Sequence, residues 1–565
     1  MRVAGGADMK VAEAIAQALV AEGVQLAAGI TGQSVGHVAD ALAEKENVKV
    51  VYVRQERVAI DIADGFARAC GAPAVVFADA GPAAANAMGG LVNSWGDSVP
   101  VLFIAGHNDK SELPSGDSKE IPFRGLFGPV TKWCAIIERP DQVAPILRRA
   151  FMHLTSGRPG PVVVGMPYDV SSMEVDHFEY APVSMRRRVR AAGDPAAIDE
   201  AVDLLATAER PYVYVGAGCL YSGATDELVA LAELLTLPVA TTLNGKSAFP
   251  EDHPLSLGVG GFAQAAYGSL PASKLAKEAD VILTIGCGFK RHATQKPRAK
   301  GSKHIQIDVD AAEINKHHVA DVAILGDARL TIVQLIEAAR RRLSAGRLQP
   351  VSERLARVAS MQDDWRKVSR PYTHSDECPV NPFRVTHELD RLLGGRDSIL
   401  LHDAGSVRGS TCQHYIAREP RSFIGFGVQS AMGWSIGAAI GAKISSPDKI
   451  VVAVIGEEAI AETMMDIETS IRANAPIMIV VKNNRAFADR DGGSSVNLAH
   501  ARFHGGVDVG VVARALGARV FTVRDPSDLA DALRAARESV RTGRTALVEV
   551  FTRRVKARLA HLWES

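Results

Sequence analysis

Residues 450–484, IVVAVIGEEAIAETMMDIETSIRANAPIMIVVKNN, constrain the fold of this chain more than any other stretch. A short apolar run ends in a tight turn at Gly456-Glu457-Glu458. A segment with apolar residues at helical spacing follows, then a proline and a second apolar run that closes on Asn483-Asn484. Strand, turn, helix and strand in that order make a βαβ unit between parallel neighbours. Its turn lies at the carboxyl end of the first strand, where backbone N–H groups gather around a phosphate. An acid just after one strand and an amide just after the next can share a hard cation, which prefers oxygen ligands. The residues alone leave two readings open: a metal-and-phosphate site, or an ordinary βαβ unit with a polar turn.

The remaining sequence repeats the alternation. In the first third, helical spacing covers residues 9–22 and 57–69, and short apolar runs suited to strands cover 48–53, 74–77, 101–105 and 162–164. A linker is expected at 175–194, with Arg186, Arg187, Arg188 and Arg190 as a solvated charge cluster. The second block places strands at 212–215, 281–285 and 304–309. The first leads into Gly216-Ala217-Gly218 and the second into Gly286-Cys287-Gly288. That is a nucleotide-binding-like layout without the third glycine, so glycine serving the turn alone stays open. Residues 344–381 read as a polar connector. The third block places strands at 398–401 and 546–551 around Asp403-Ala404-Gly405 and the glycine-rich 425–441. The expected fold is α/β, with three doubly wound parallel-sheet domains at 1–185, 190–345 and 365–565, the first and third copies of one architecture.

Composition narrows the function. The 565 residues carry 64 basic and 64 acidic side chains, a formal net charge of zero, which leaves no footprint for nucleic acid or an anionic membrane. Six scattered cysteines form no CxxC pair, so neither a disulfide framework nor a zinc site is expected; they read as reduced and mostly buried. No apolar run is long enough to span a bilayer, and the first residues lack a signal-peptide core; a cytoplasmic protein is expected.

Several ordered motifs together carry a resemblance. Gly456-Glu457-Glu458 stands 24 residues before Asn483-Asn484. Arg54-Gln55-Glu56-Arg57-Val58-Ala59 follows a short strand and opens a helix, continuing in Ala63-Asp64-Gly65-Phe66-Ala67-Arg68. Gly81-Pro82-Ala83 is followed by Asn86, and Met432 lies in Ser430-Ala431-Met432-Gly433-Trp434. Over nearly its whole length the chain resembles the thiamine diphosphate-dependent enzymes of the acetolactate synthase and pyruvate decarboxylase superfamily. The resemblance implies a first domain that binds the aminopyrimidine, a Rossmann-like middle domain and a last domain that binds the diphosphate. Glu56 would be the catalytic glutamate, buried against its strand. The cofactor would further touch Gly81, Asn86, Met432, Gly456, Glu457, Glu458, Ala459 and Asn483. Mg²⁺ would draw on Glu457, Asn483 and Arg485, and the middle domain would hold FAD or an ADP/CoA moiety. Chains would pair as a homodimer or homotetramer, one supplying the glutamate and the other the diphosphate site.

The implied activity is that of an acetolactate synthase-like lyase or carboligase. It would cleave a small-molecule 2-oxo acid or 2-hydroxyacyl compound through an enamine intermediate. One alternative is a 2-hydroxyacyl-CoA lyase or oxalyl-CoA decarboxylase type; another is a non-catalytic relative that has lost its cofactor at Glu457-Glu458. These two residues depart from the family's Gly-Asp-Gly. A second carboxylate repels a diphosphate unless it turns outward or meets a cation.

Overall fold

The computed structural model describes residues 3–4, 9–116, 118–183, 189–260, 268–289, 299–346, 352–394, 396–486 and 507–555. Three six-stranded sheets, parallel throughout, carry the architecture. The N-terminal sheet runs Lys49–Tyr52, Leu26–Gly29, Ala74–Ala78, Val101–His107, Val162–Pro167, Trp133–Ile136 from edge to edge. The C-terminal sheet runs Phe423–Ile424, Ser398–His402, Ile450–Gly456, Met478–Asn483, Ala546–Phe551, Arg519–Val523. Numbered along each domain, both orders are 2-1-3-4-6-5, so the first and third blocks are copies of one topology. The middle sheet, Ser256–Val259, Val239–Thr241, Pro211–Val215, Val281–Ile285, Lys303–Asp308, Val322–Leu325, has the dinucleotide-fold order 3-2-1-4-5-6. Its central strands are buried, as the β-branched runs require when helices cover both faces.

Two expectations need correction. The stretch 344–381 is not a simple connector, because Glu353–Thr373 is a helix. Most of its faces are polar and Pro371 interrupts its last turn, so no apolar period marks it. Arg190 is not a solvated linker charge: its guanidinium lies 3.5 Å from Asp327 and donates to the Ser222 carbonyl. Arg186, Arg187 and Arg188 lie outside the described residues. All six cysteines are free, but only Cys219, Cys287 and Cys412 are buried. Among the described residues no helix is long and apolar enough to cross a membrane.

The N- and C-terminal domains meet along two helices, Glu56–Cys70 and Trp434–Ser445. Glycines set their separation. A Cβ on Gly65 would run into the Ala438 backbone, and one on Gly441 into the Ile62 carbonyl. Across this crossing the buried indole of Trp434 donates to Asp64 at 3.1 Å, and Asp64 in turn pairs with Arg68 at 2.6 Å. The Ala63–Arg68 motif is thereby accounted for as interface, built to bring two backbones together.

Candidate active site

Glu56 is the first residue of its helix and caps the carboxyl end of Lys49–Tyr52. It is half-buried rather than buried, and Oε2 accepts from the Asn86 amide at 2.5 Å. Asn86 ends the five-residue helix Pro82–Asn86 instead of starting one, so it serves no N-cap and its amide is free to orient Glu56. Gly81 begins that helix at φ +64°, a conformation that favours glycine.

The next residue, Arg57, ties this corner to the C-terminal domain. Its guanidinium donates to the Met432 carbonyl and, at 2.9 Å, to Glu462. Arg54 adds a backbone N–H to Asp466 at 2.9 Å. The structure thus joins the Glu56 corner to the Met432 segment within one chain. Met432 is half-buried at the edge of the shared core, between Ser430 at φ +56° and Gly433 at φ +79°. Asp403, which sequence reasoning missed, holds that turn. Its buried carboxylate accepts from Ala404 at 2.7 Å, Gly433 at 3.0 Å and Ser435 at 2.8 Å. Burial pushes the Asp403 carboxyl up, against the pull of those N–H groups. The signal was its place directly after a buried strand.

A Cβ on Gly456 would meet nothing within 4 Å, so the turn faces open space. Ala459 is buried, its carbonyl against Gly433. Glu457 folds into the loop after the next strand and accepts from the Ala486 N–H at 2.9 Å. Burial raises its carboxyl while that loop's N–H groups draw it down. Glu458 neither turns outward nor meets a cation: Oε1 is buried without a partner. Burial, with Glu457 beside it, pushes its carboxyl up to about 7. Burial thus favours the protonated form, which eases the repulsion expected of two adjacent carboxylates.

The two asparagines of the pair are held differently. Asn483 is spent inside the protein: its amide donates to Glu549 at 2.8 Å, and Oδ1 accepts from the Arg485 N–H at 3.0 Å. The Arg485 carbonyl accepts from Arg554 at 3.2 Å, and its guanidinium lies over the Phe551 ring. The unpartnered buried oxygen is Asn484 Oδ1. Asn483 ends a strand and points to the Glu549 face, whereas Asn484 starts the loop over the turn. The oxygens without a partner are Glu458 Oε1 and Asn484 Oδ1, and with the carboxylate of Glu457, which already accepts from the loop, they are donors of the kind a hard cation prefers.

The middle sheet changes direction between Pro211–Val215 and Val281–Ile285, and a cavity opens there between Gly216, Gly218, Gly286 and Asp308. Burial pushes the Asp308 carboxyl up to about 6.

Three family profiles match the chain in order. "Thiamine pyrophosphate enzyme, N-terminal TPP binding domain" matches residues 9–125, the central domain 198–335 and the C-terminal TPP binding domain 403–550. Among curated relatives, a probable acetolactate synthase large subunit of Methanocaldococcus jannaschii is 35% identical, covering 84% of this chain and 80% of the relative. The acetolactate synthase isozyme 3 large subunit of Escherichia coli K12 is 30% identical over 95% of this chain and 94% of the relative. Glyoxylate carboligase of Escherichia coli O157:H7 is likewise 30% identical, over 97% and 94%.

Proposed function

The chain belongs to the thiamine pyrophosphate enzyme family, and from that premise we propose how its residues work as a thiamine diphosphate-dependent lyase or carboligase of the acetolactate synthase type. The observation that carries the site assignment is that Glu458 Oε1 and Asn484 Oδ1, one in the turn after Ile450–Gly456 and one directly after Met478–Asn483, are buried without a partner, while the turn at Gly456 is open. They fit a cation and diphosphate: Glu457, Glu458 and Asn484 would hold Mg²⁺, and the Gly456 turn would take the diphosphate. When bound, the cofactor supplies the carbon nucleophile and the electron sink for breaking a bond next to a carbonyl. Glu56 holds a proton against the pyrimidine, with Asn86 fixing the carboxylate. Met432 supports the cofactor's waist, on a turn that Asp403 and Arg57 keep in place.

The test is calorimetry with thiamine diphosphate and Mg²⁺, beside a Glu457→Asp, Glu458→Gly double variant. Saturable heat and a raised melting temperature are expected of the wild type. No heat and no thermal shift at millimolar cofactor would leave only the fold.

The middle cavity supports an adenine-containing ligand, FAD or an ADP/CoA moiety, at the strand-order reversal where such folds bind nucleotides. A yellow purified protein marks FAD; a colourless one whose melting temperature rises with CoA marks the other. A homodimer or homotetramer is supported by Glu56 standing half-open in the single chain, since a partner surface would bury it. A monomeric mass in light scattering at micromolar concentration would overturn that. Mixing Glu56→Gln chains with Glu457→Ala chains then reports how the site is shared. Regained turnover of about a quarter of wild type, the random share of hybrid sites, puts its halves on different chains. No regain leaves them joined as the Arg57–Met432 contact joins them.

A further inference from the structure

The N-terminal sheet reverses its strand order between Leu26–Gly29 and Ala74–Ala78. In doubly wound sheets the crevice outside the carboxyl ends at such a reversal is where ligands sit. Three loops meet there, and each brings one polar side chain. Asp79, just past Ala74–Ala78, accepts on Oδ1 from the Ser34 backbone N–H at 3.0 Å and from the Ser34 hydroxyl. Its Oδ2 lies 2.7 Å from the Lys119 Nζ, which belongs to the segment beyond Val101–His107. A Cβ on Gly106 would strike the Ser34 hydroxyl, so glycine makes room for the cluster.

Lys119 is held in place by its backbone. It adopts φ +65°, and its Cα stands 2.7 Å from where a Cβ on Gly81 would be. Gly81 opens the five-residue helix whose last residue, Asn86, orients Glu56. The lysine segment and Glu56 therefore flank the two ends of one short helix, which spans roughly 7–8 Å. The catalytic corner and this ammonium face the same mouth of the same sheet.

We propose that Lys119 receives the carboxylate of the donor 2-oxo acid and so selects free 2-oxo acids over thioesters and neutral carbonyl compounds; this rests on the cofactor-dependent function above. An ammonium has three N–H donors, and Asp79 takes one. The Lys119 side chain is 41% exposed against 16% for Asp79, so the lysine stays accessible from solvent while the carboxylate beside it is largely covered. Asp79 aims the lysine while drawing support from Ser34. Despite partial burial, Lys119 and Ser34 pull the Asp79 carboxyl down to about 2, so Asp79 stays a carboxylate at any working pH. A 2-oxo acid carries a carboxylate beside its reacting carbonyl. A thioester or an aldehyde has none and leaves the cation without a partner.

The contact has a kinetic signature. On decarboxylation the bond from the carbonyl carbon to the carboxylate breaks, the electron pair passes to the cofactor, and the carboxylate leaves as neutral carbon dioxide. The attraction to Lys119 is therefore strongest in the ground state and fades toward the transition state. It lowers KM and does nothing for kcat.

The experiment uses the enzyme loaded with thiamine diphosphate and Mg²⁺, with pyruvate and glyoxylate as donors and acetaldehyde as a neutral acceptor. In Lys119→Met the KM for both acids should rise roughly tenfold or more, the range of a charge-assisted hydrogen bond, with kcat unchanged or higher. Lys119→Arg should return KM to within about threefold of wild type, and the KM for acetaldehyde should stay put. Calorimetric affinity for thiamine diphosphate and the melting temperature should not move. An unchanged KM for the acids in Lys119→Met overturns the proposal, as does an equal rise for acetaldehyde. Normal cofactor binding with no turnover of either acid overturns this proposal alone. A wild type that binds no cofactor overturns the function it rests on, and this proposal with it.

Discussion

The N- and C-terminal sheets share one strand order but treat the polar groups at their carboxyl ends in opposite ways. At the N-terminal mouth Asp79 has Ser34 and Lys119, and Glu56 has Asn86. At the C-terminal mouth Glu458 and Asn484 each keep a buried oxygen with no partner. A buried polar atom without a hydrogen bond costs about 1–3 kcal/mol, so a fold that carries two in this region gives up stability that a ligand can restore. The lesson is that topology sets where a site can lie, while the partners of the polar groups at each mouth show what that mouth still lacks. The N-terminal half presents groups already aimed; the C-terminal half presents oxygens still to be paired.

That contrast can be broken in graded steps. The largest effect is expected where the two halves are clamped. Gly441→Leu drives a side chain into the Ile62 carbonyl and should leave no cooperatively folded full-length protein, read by limited proteolysis and calorimetry. A variant that melts within a few degrees of wild type would show that the two mouths need no fixed spacing. Next, Glu56→Gln should lower turnover by about 10²–10⁴-fold while cofactor affinity and melting temperature hold, which tests whether the N-terminal half works by proton transfer. The two neighbouring asparagines then separate binding from stability. Asn484→Ala should weaken Mg²⁺ about tenfold or more at little cost in stability. Asn483→Ala strands the buried Glu549 and should cost about 1–3 kcal/mol with Mg²⁺ affinity kept. The reverse pattern would return the metal to Asn483.

The smallest expected effect is a pH limb. The Asp79 carboxyl sits at about 2 in the folded chain, below its ordinary value near ~3.9. Protons therefore bind the unfolded chain first as pH falls, and the stability Asp79 contributes is full above about 4 and lost on the way down to about 2. Asp79→Asn should flatten that part of the melting-temperature profile and leave the neutral range with a constant offset. A variant whose acid limb matches wild type would remove Asp79 from the satisfied half of the comparison.

Much of this was legible in the chain. Runs such as 281–285 and 546–551 are β-branched, bounded by polar turns and buried on both faces, and they lie where sequence placed them. The doubling of the architecture was visible as repeated alternation. What failed did so for local reasons. Leu26–Gly29 reads LAAG, a central strand without β-branched residues, because the Phe77 ring and carbonyl crowd Gly29 and leave room for nothing larger. The helix Glu353–Thr373 hides because so little of it is buried. The choice between Asn483 and Asn484 turned on a single step of strand alternation, which spacing from Glu458 cannot resolve. Asp403 was legible only as part of a turn because its partners, Gly433 and Ser435, lie 30 and 32 residues along the chain. Lys119 gave no signal at all, since only the fold carries it to Gly81.

The glycine-lined crossing of Glu56–Cys70 with Trp434–Ser445 also governs how the protein comes into being. The first helix leaves the ribosome long before its partner exists. At roughly 5–20 residues per second, its apolar face waits about twenty to seventy seconds for the second helix to be synthesised. For most of that interval, once Val162–Pro167 has been made, the N-terminal sheet is complete but one of its surfaces has nothing to close against. Such a nascent chain is a natural client for a chaperone that masks apolar helices, and its yield in a cell should depend on how quickly the ribosome travels from the first helix to the second.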